Sequence, residues 1–191
     1  MKVILGSSSP RRKELLQLIL PKFDIVVSEV NEELKDGLAV QEQVTRLAYV
    51  KAKEVYDKTD GDRIIIGADT IVVKNNKIYG KPTDRKHAKQ MLKELLSGDK
   101  THSIITGLCV IIEKDRECRV YKDFDEVKVF LRDMNEKEID MWLDTGNAMD
   151  KAGAYGIQNE FCVFVDKIEG NYTSAVGLPT HRLYNIIKEY I

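Results

Sequence analysis

The chain has 191 residues, 43% hydrophobic and 32% charged, and its 30 basic and 31 acidic residues leave a formal net charge of -1. This balance excludes the basic excess of a duplex-binding domain, and no apolar run approaches the roughly 18 residues of a membrane span. The expectation is one globular domain over residues 1–191, cytoplasmic, with neither nucleic acid nor membrane as partner and any anionic ligand small and locally gripped.

Val3 to Leu5 reads as a short buried strand, Gly6 to Ser9 as a small-residue loop, and Pro10 onward as a helix with Leu15, Leu16, Leu18 and Ile19 at apolar spacing. Ser9 fits the N-cap and Pro10 the first helical position, where its missing N–H costs nothing. Arg11 and Arg12 then stand at the positive end of the helix dipole, which disfavours an exposed cation by about 0.3–1 kcal/mol. A phosphate held by the loop N–H groups and both guanidiniums would offset that cost. The alternative is that both arginines point into water, because the stretch lacks the Gly-Lys-Ser/Thr ending of a P-loop.

"FDIVVSEV" from Phe23 reads as a strand, and Val40, Val44, Leu47, Ala48, Ala52 and Val55 mark one face of a helix. "RIIIGADTIVVKNNKIYGKP" predicts an apolar strand, an acidic break at Asp69 and Thr70, and a hairpin turning at Asn75 and Asn76. A helix follows from Thr83 or Asp84, with Ala88, Met91, Leu92 and Leu95 inward and Gly98 as its stop. Thr101–Ile112 and Arg119–Leu131 read as an antiparallel strand pair around a charged turn. Asn135 caps the next helix with Glu138 reaching back, and lone Trp142 is assigned to the core. "CVFVDKIEGNY" reads as a strand, and a last helix runs from about Pro179 to Tyr190. The elements specify an α/β protein with a mixed sheet. Cys109, Cys118 and Cys162 read as buried, reduced thiols, and neither they nor His87, His102 and His181 show zinc-like spacing.

Asp69 and Thr70 interrupt two apolar runs just after Gly67 and Ala68, which would let a ligand or backbone approach. A carboxylate where a buried strand ends is costly unless it meets a metal, a cation or a proton-transfer partner. In "NEE", Glu32 or Glu33 would join Asp69 around one hard divalent cation, since magnesium is held by one or two carboxylates plus waters and substrate phosphates; a solvated loop is the competing reading. Lys51 and Lys81 would neutralise phosphate charge, Lys81 with its backbone fixed between Gly80 and Pro82, unless they are ordinary surface lysines. "DKAGAYGIQ" offers small residues for close approach of a flat ring and the Gln158 amide for a base edge, though a tight helix-to-strand connection would look alike.

Taken in order, "SSSPRRKELL", "NEE", "RLAYVKAK", "GADT", "GKP", "DKAGAYGIQ" and "NYTSAVGLP" resemble the Maf family of nucleoside triphosphate pyrophosphatases, from Leu5 to the final helix. The resemblance implies a Maf and inosine-triphosphatase-like α/β fold, a long mixed β-sheet flanked by helices with two lobes around a cleft. It also implies cleavage of the α–β phosphoanhydride to a nucleoside monophosphate and pyrophosphate with Mg2+ or Mn2+, and a homodimer. Asp69 matches the family's catalytic proton acceptor and Glu32 an acidic metal or water ligand, so that both are expected at the metal. Ser7, Arg11, Arg12, Lys51 and Lys81 match triphosphate-facing positions, Lys81 with a catalytic part, and Arg11, Thr70 and Gln158 match positions of base selection. "GADT" with "YGIQ" is similar to the branch acting on dTTP, UTP and modified pyrimidines. The opening "GSSS", where many relatives read Ala-Ser-x-Ser, is a mild departure; "QNEF", where relatives often carry a Gly-rich stretch, would alter the pocket rim. Two other readings stay open: a nucleotide-binding regulator of cell division with little turnover, and a pyrophosphatase for noncanonical purine triphosphates.

Overall fold

The structure is a computed structural model that describes residues 1–191, apart from the side chain of Asn159. Its elements are β1 (Lys2–Leu5), α1 (Pro10–Gln17), β2 (Asp24–Ile25), α2 (Val40–Asp57), β3 (Arg63–Lys74), β4 (Lys77–Tyr79), α3 (Arg85–Leu96), β5 (Thr101–Lys114), β6 (Glu117–Leu131), α4 (Glu136–Asp144), β7 (Val165–Glu169), α5 (Tyr172–Val176) and α6 (Thr180–Ile187). The strands form one seven-stranded mixed sheet in the order β2-β1-β3-β5-β6-β7, with β4 paired to β3. β1 runs parallel to both neighbours, whereas β3 with β4 and β6 with β7 are antiparallel. Among the described residues no helix is long and apolar enough to cross a membrane.

The chain divides into two compact units. The first comprises Met1–Asp69, Thr106–Asp125 and Gly177–Ile191; the second comprises Thr70–Ile105 and Glu126–Val176.

In the first unit a helix lies unusually close to the sheet. A Cβ on Gly67 of β3 would fall 2.4 Å from the Ala48 carbonyl oxygen and 2.8 Å from the Ala52 Cβ, and one on Gly107 of β5 would fall 2.4 Å from the Val44 carbonyl oxygen. Val44, Ala48 and Ala52 are spaced by four along α2, so one helix ridge rests on two strands at points where no side chain intervenes. Ile4, Val55, Ile65, Cys109 and Ile111 close this core around the contact.

The second unit has its own core, in which α3 and α4 pack together around Leu92, Leu95, Trp142, Tyr155 and Phe161. The Trp142 indole N–H donates to the Ala154 carbonyl at 2.9 Å. Buried Lys74 donates to the Leu95 carbonyl at 2.8 Å and to the Ser97 carbonyl, which satisfies acceptors left over at the end of α3. His102 is buried with Nε2 hydrogen-bonded to the Tyr155 hydroxyl, while Nδ1 has no partner among the described residues.

Several expectations are corrected. Asp69 does not break its strand: β3 runs from Arg63 to Lys74 through it, because the flanking apolar residues keep the ladder on both sides. The strand expected from Phe23 shrinks to Asp24–Ile25, both exposed, since this edge has only β1 to pair with. Cys162, Val163 and Phe164 lie in a 3-10 stretch, Asn159–Phe164, that buries Phe161 and Phe164, and the strand begins only at Val165. The final helix is shorter than expected and follows a separate one-turn helix, α5. Cys109 is buried, but Cys118 and Cys162 are exposed, and all three are free. The hairpin at Asn75 and Asn76 forms with both residues at positive φ, as do Asp115 and Arg116 in the two-residue link between β5 and β6.

Gly67→Ala should lower Tm in a thermal melt by about 2–12 °C, because overpacking costs about 1–3 kcal/mol and each kcal/mol is worth about 2–4 °C at this size. A second expectation concerns His102, whose pKa burial pulls down to about 4, with nearby Lys74 adding to the shift and Asp99 opposing it. The unfolded chain takes up this proton first as pH falls below about 6.5, so the stabilisation is present above that pH and is lost on the way to about 4. Between pH 7 and 4, denaturant titrations should show the native protein losing about 3 kcal/mol more than His102→Gln.

Candidate active site

The close approach at Gly67 decides what stands next to it. Asp69 lies two residues further along β3 and therefore on the same face of the strand. Lys51 precedes Ala52 on α2, and its Nζ meets Asp69 Oδ1 at 2.6 Å. Glu32, from the segment joining β2 to α2, brings Oε1 to 2.8 Å from the same ammonium. The Lys51 and Asp69 side chains are 9% and 7% exposed, and that of Glu32 is 49% exposed.

That segment is held by α2. The Gln43 amide both accepts from the Lys35 N–H and donates to the Lys35 carbonyl, Arg46 donates to the Glu33 carbonyl, and Glu54 Oε2 accepts from the Ser28 hydroxyl at 2.6 Å and the Glu29 N–H at 2.8 Å. Lys58, then Ser28, hold the Glu54 carboxyl down at about 2, so this clamp stays ionised at neutral pH. Of the two candidate glutamates it is Glu32 that reaches Lys51; Glu33 accepts from Asn31 at 2.6 Å instead.

Arg12 leaves the start of α1 with its Nε–H donating to the Gly177 carbonyl at 2.9 Å and an NH1 proton to Ser7 Oγ at 3.3 Å. Removal from water lowers the Arg12 pKa, Asp69 works against that, Arg11 adds to it, and Glu32 again opposes it. Arg12 therefore shares an electrostatic environment with both acids. Ser7 is buried and also accepts the Ser9 N–H at 3.2 Å, whereas Ser9, at the N-cap, makes no side-chain capping bond. The cap expected from the Ser9 hydroxyl is not made; the Ser7 hydroxyl instead bonds within the loop, to the Ser9 N–H.

Ser7, Arg12, Glu32, Lys51 and Asp69 are brought together in the first unit, with Arg11 beside Arg12. Thr70, Lys81 and Gln158 belong to the second. Lys81 is exposed, and the Gly153 N–H donates to the Gly80 carbonyl at 3.0 Å, so that "GKP" is tied to "DKAGAYGIQ". Thr70 and Gln158 are half-buried.

Two features escape the sequence reading. Lys51 is engaged by two carboxylates rather than standing ready for phosphate. Gly177 serves as the acceptor that fixes the Arg12 plane, with φ +128, a backbone conformation open to glycine; "AVGLP" hints at a turn, but nothing in it names Arg12.

An acid–lysine–acid cluster beside a clamped arginine at a helix start is a grouping suited to a polyanion accompanied by a cation. Among the described residues no three His, Cys, Asp or Glu side chains gather as a metal-binding group. The point between Asp69 and Glu32 already accommodates a positive charge, and a pair of carboxylates fits a magnesium ion that completes its shell with water and phosphate. The profile of the Maf-like protein family matches residues 2–190, so the chain belongs to the Maf family. It is 46% identical to the dTTP/UTP pyrophosphatase of Alkaliphilus oremlandii, over 99% of this chain and 96% of that protein. It is 43% identical to the dTTP/UTP pyrophosphatase of Bacillus anthracis, over 99% and 95% of the two chains. A solved nucleoside-triphosphatase / dITP/XTP pyrophosphatase from Mycobacterium abscessus aligns with a TM-score of 0.41 and 14% identity, covering 69% of this chain and 73% of that one, a likeness too slight to argue from.

Removing Lys51 leaves a buried carboxylate without its cation, so Lys51→Met should cost about 3 kcal/mol in a denaturant titration. Adding Asp69→Asn should return most of that loss, because the two residues are in direct contact and their effects do not add.

Proposed function

We propose that the protein hydrolyses nucleoside triphosphates at the α–β bond, with dTTP, UTP and modified pyrimidine triphosphates as substrates, releasing the nucleoside monophosphate and pyrophosphate. The observation that carries this reading is the Asp69–Lys51–Glu32 cluster beside Arg12, in a chain that matches a dTTP/UTP pyrophosphatase over 99% of its length at 46% identity.

In this reading Asp69, fixed on a central strand, accepts a proton from the attacking water as its oxygen bonds to the α-phosphorus. The bond from the α-phosphorus to the bridging oxygen breaks, and the electron pair leaves with pyrophosphate. Arg12, with Ser7 and Gly177 holding its plane, grips phosphate oxygens together with Arg11, Lys51 and Lys81 and stabilises the charge that develops on the leaving group. Asp69 and Glu32 would hold a divalent cation, Mg2+ or Mn2+, which when bound would supply Lewis-acid polarisation of the phosphate oxygens. Arg11, Thr70 and Gln158 select the base. We extend the reading to a cytoplasmic homodimer whose partner is a small nucleotide; the near-zero net charge supports the absence of a nucleic-acid role.

With a panel of nucleoside triphosphates, pyrophosphate rather than orthophosphate should appear, fastest from dTTP and UTP, and only with added Mg2+ or Mn2+. Asp69→Asn should keep the thermal transition and lose at least ~100-fold in turnover. Nucleotide binding without pyrophosphate release would favour a regulatory binding protein, and faster release from inosine or xanthosine triphosphate would favour purine housekeeping.

A further inference from the structure

We infer that Lys51 is a resident substitute for the divalent cation: its ammonium holds Glu32 and Asp69 together until the metal enters, and the metal displaces it. The inference rests on the proposed placement of a cation at Asp69 and Glu32. Two carboxylate oxygens from different elements lie at 2.6 and 2.8 Å from one Nζ, so the ammonium occupies the position where one cation can serve both acids. A metal that takes both oxygens must dislodge it, because two positive groups cannot share that point.

The neighbouring cations show why the displaced group is Lys51. The Arg12 guanidinium is tied at two nitrogens, to the Gly177 carbonyl and the Ser7 hydroxyl. Lys51 carries a point charge on a flexible four-carbon stem, and its ammonium bonds to the two acids, Glu32 and Asp69. Asp69 explains why some cation must always be present, since a buried carboxylate on a central strand is costly when unpaired. Displacement has a second consequence: a triphosphate that arrives with the metal offers the released ammonium a new anionic partner. Metal and triphosphate then favour each other's binding, and by linkage the effect is reciprocal.

The test is Mn2+ binding to the full chain at neutral pH, read from the free-Mn2+ electron paramagnetic resonance signal with no nucleotide present. Lys51→Met should bind Mn2+ at least ~10-fold more tightly than the unaltered protein, a gain of one decade per 1.4 kcal/mol of competition removed. Equal or weaker binding by a folded Lys51→Met overturns the inference. Because that variant is also expected to be less stable, a crystal of the unaltered protein soaked in Mn2+ gives an independent readout. Anomalous scattering should place the metal between Asp69 Oδ1 and Glu32 Oε1, with Lys51 Nζ moved beyond about 3.5 Å from both. Metal bound there with Lys51 still on both acids overturns displacement while sparing the metal assignment. Mn2+ affinity unchanged in both Glu32→Gln and Asp69→Asn overturns the metal assignment itself, and the inference falls with it.

Discussion

The contact on which the rest of the site depends is the meeting of α2 with β3 at Gly67. A helix normally stands off a sheet by the depth of the intervening side chains. Here the Ala48 carbonyl oxygen would lie 2.4 Å from any Cβ at that position, so the helix rests on the strand's backbone. A short lever follows from that approach: Lys51, next to Ala52, arrives at Asp69, two residues beyond Gly67. With an ordinary residue at 67 the helix would ride higher, and the lysine would reach the acid from a different angle or through water. The glycines in this core are therefore positional as much as conformational, since Gly67 is required for space rather than for a special φ.

The charges built on this contact differ in how freely they can move. Asp69 is part of a paired strand and nearly inaccessible to solvent. Arg12 is tied to a carbonyl and a hydroxyl, and its acceptor Gly177 follows α5 at a backbone angle that few other residues adopt. Glu32 sits half-exposed on a segment held by Gln43, Arg46 and Glu54 at its margins, and Lys51 ends a flexible stem. A group proposed to receive a proton needs a fixed position, because misplacement is expensive in rate; a group that exchanges partners needs slack. The molecule distributes rigidity in that order.

Much of the fold is legible in the chain. The Asn-Asn hairpin, the Asn135–Glu138 capping box, and the Ala88, Met91, Leu92 and Leu95 stripe all follow from local rules, and each is found where periodicity and capping place it. Misreadings occur where tertiary pairing outweighs local pattern. Asp69 looks like a break because a carboxylate disfavours a buried strand, and it is carried through because Lys51 compensates it. Apolar "CVFV" reads as a strand, yet it turns so that Phe161 can join Trp142 and Tyr155. Of the site, the identity of the acids and cations is readable. Which glutamate faces Lys51, and what orients Arg12, are not, because both depend on distant segments: Gln43 and Arg46 in the first case, Gly177 in the second.

The original oddity of the chain, two arginines at the positive end of a helix, is resolved only in part by an anion. Arg12 is already compensated within the protein, by a carbonyl and by the field of Asp69 and then Glu32. Its charge is thus tolerated before any phosphate arrives, which is what preorganisation requires: the cost of placing the cation is met by the fold rather than by the substrate's binding. The same acids that make Arg12 tolerable are the ones proposed to hold a metal. In that proposal a divalent cation on these acids would weaken their hold on Arg12 and leave its charge more fully available to the triphosphate. On the proposed metal placement, metal entry and phosphate grip would be coupled through Asp69 even without any movement of the arginine, and the lysine would be the part that yields.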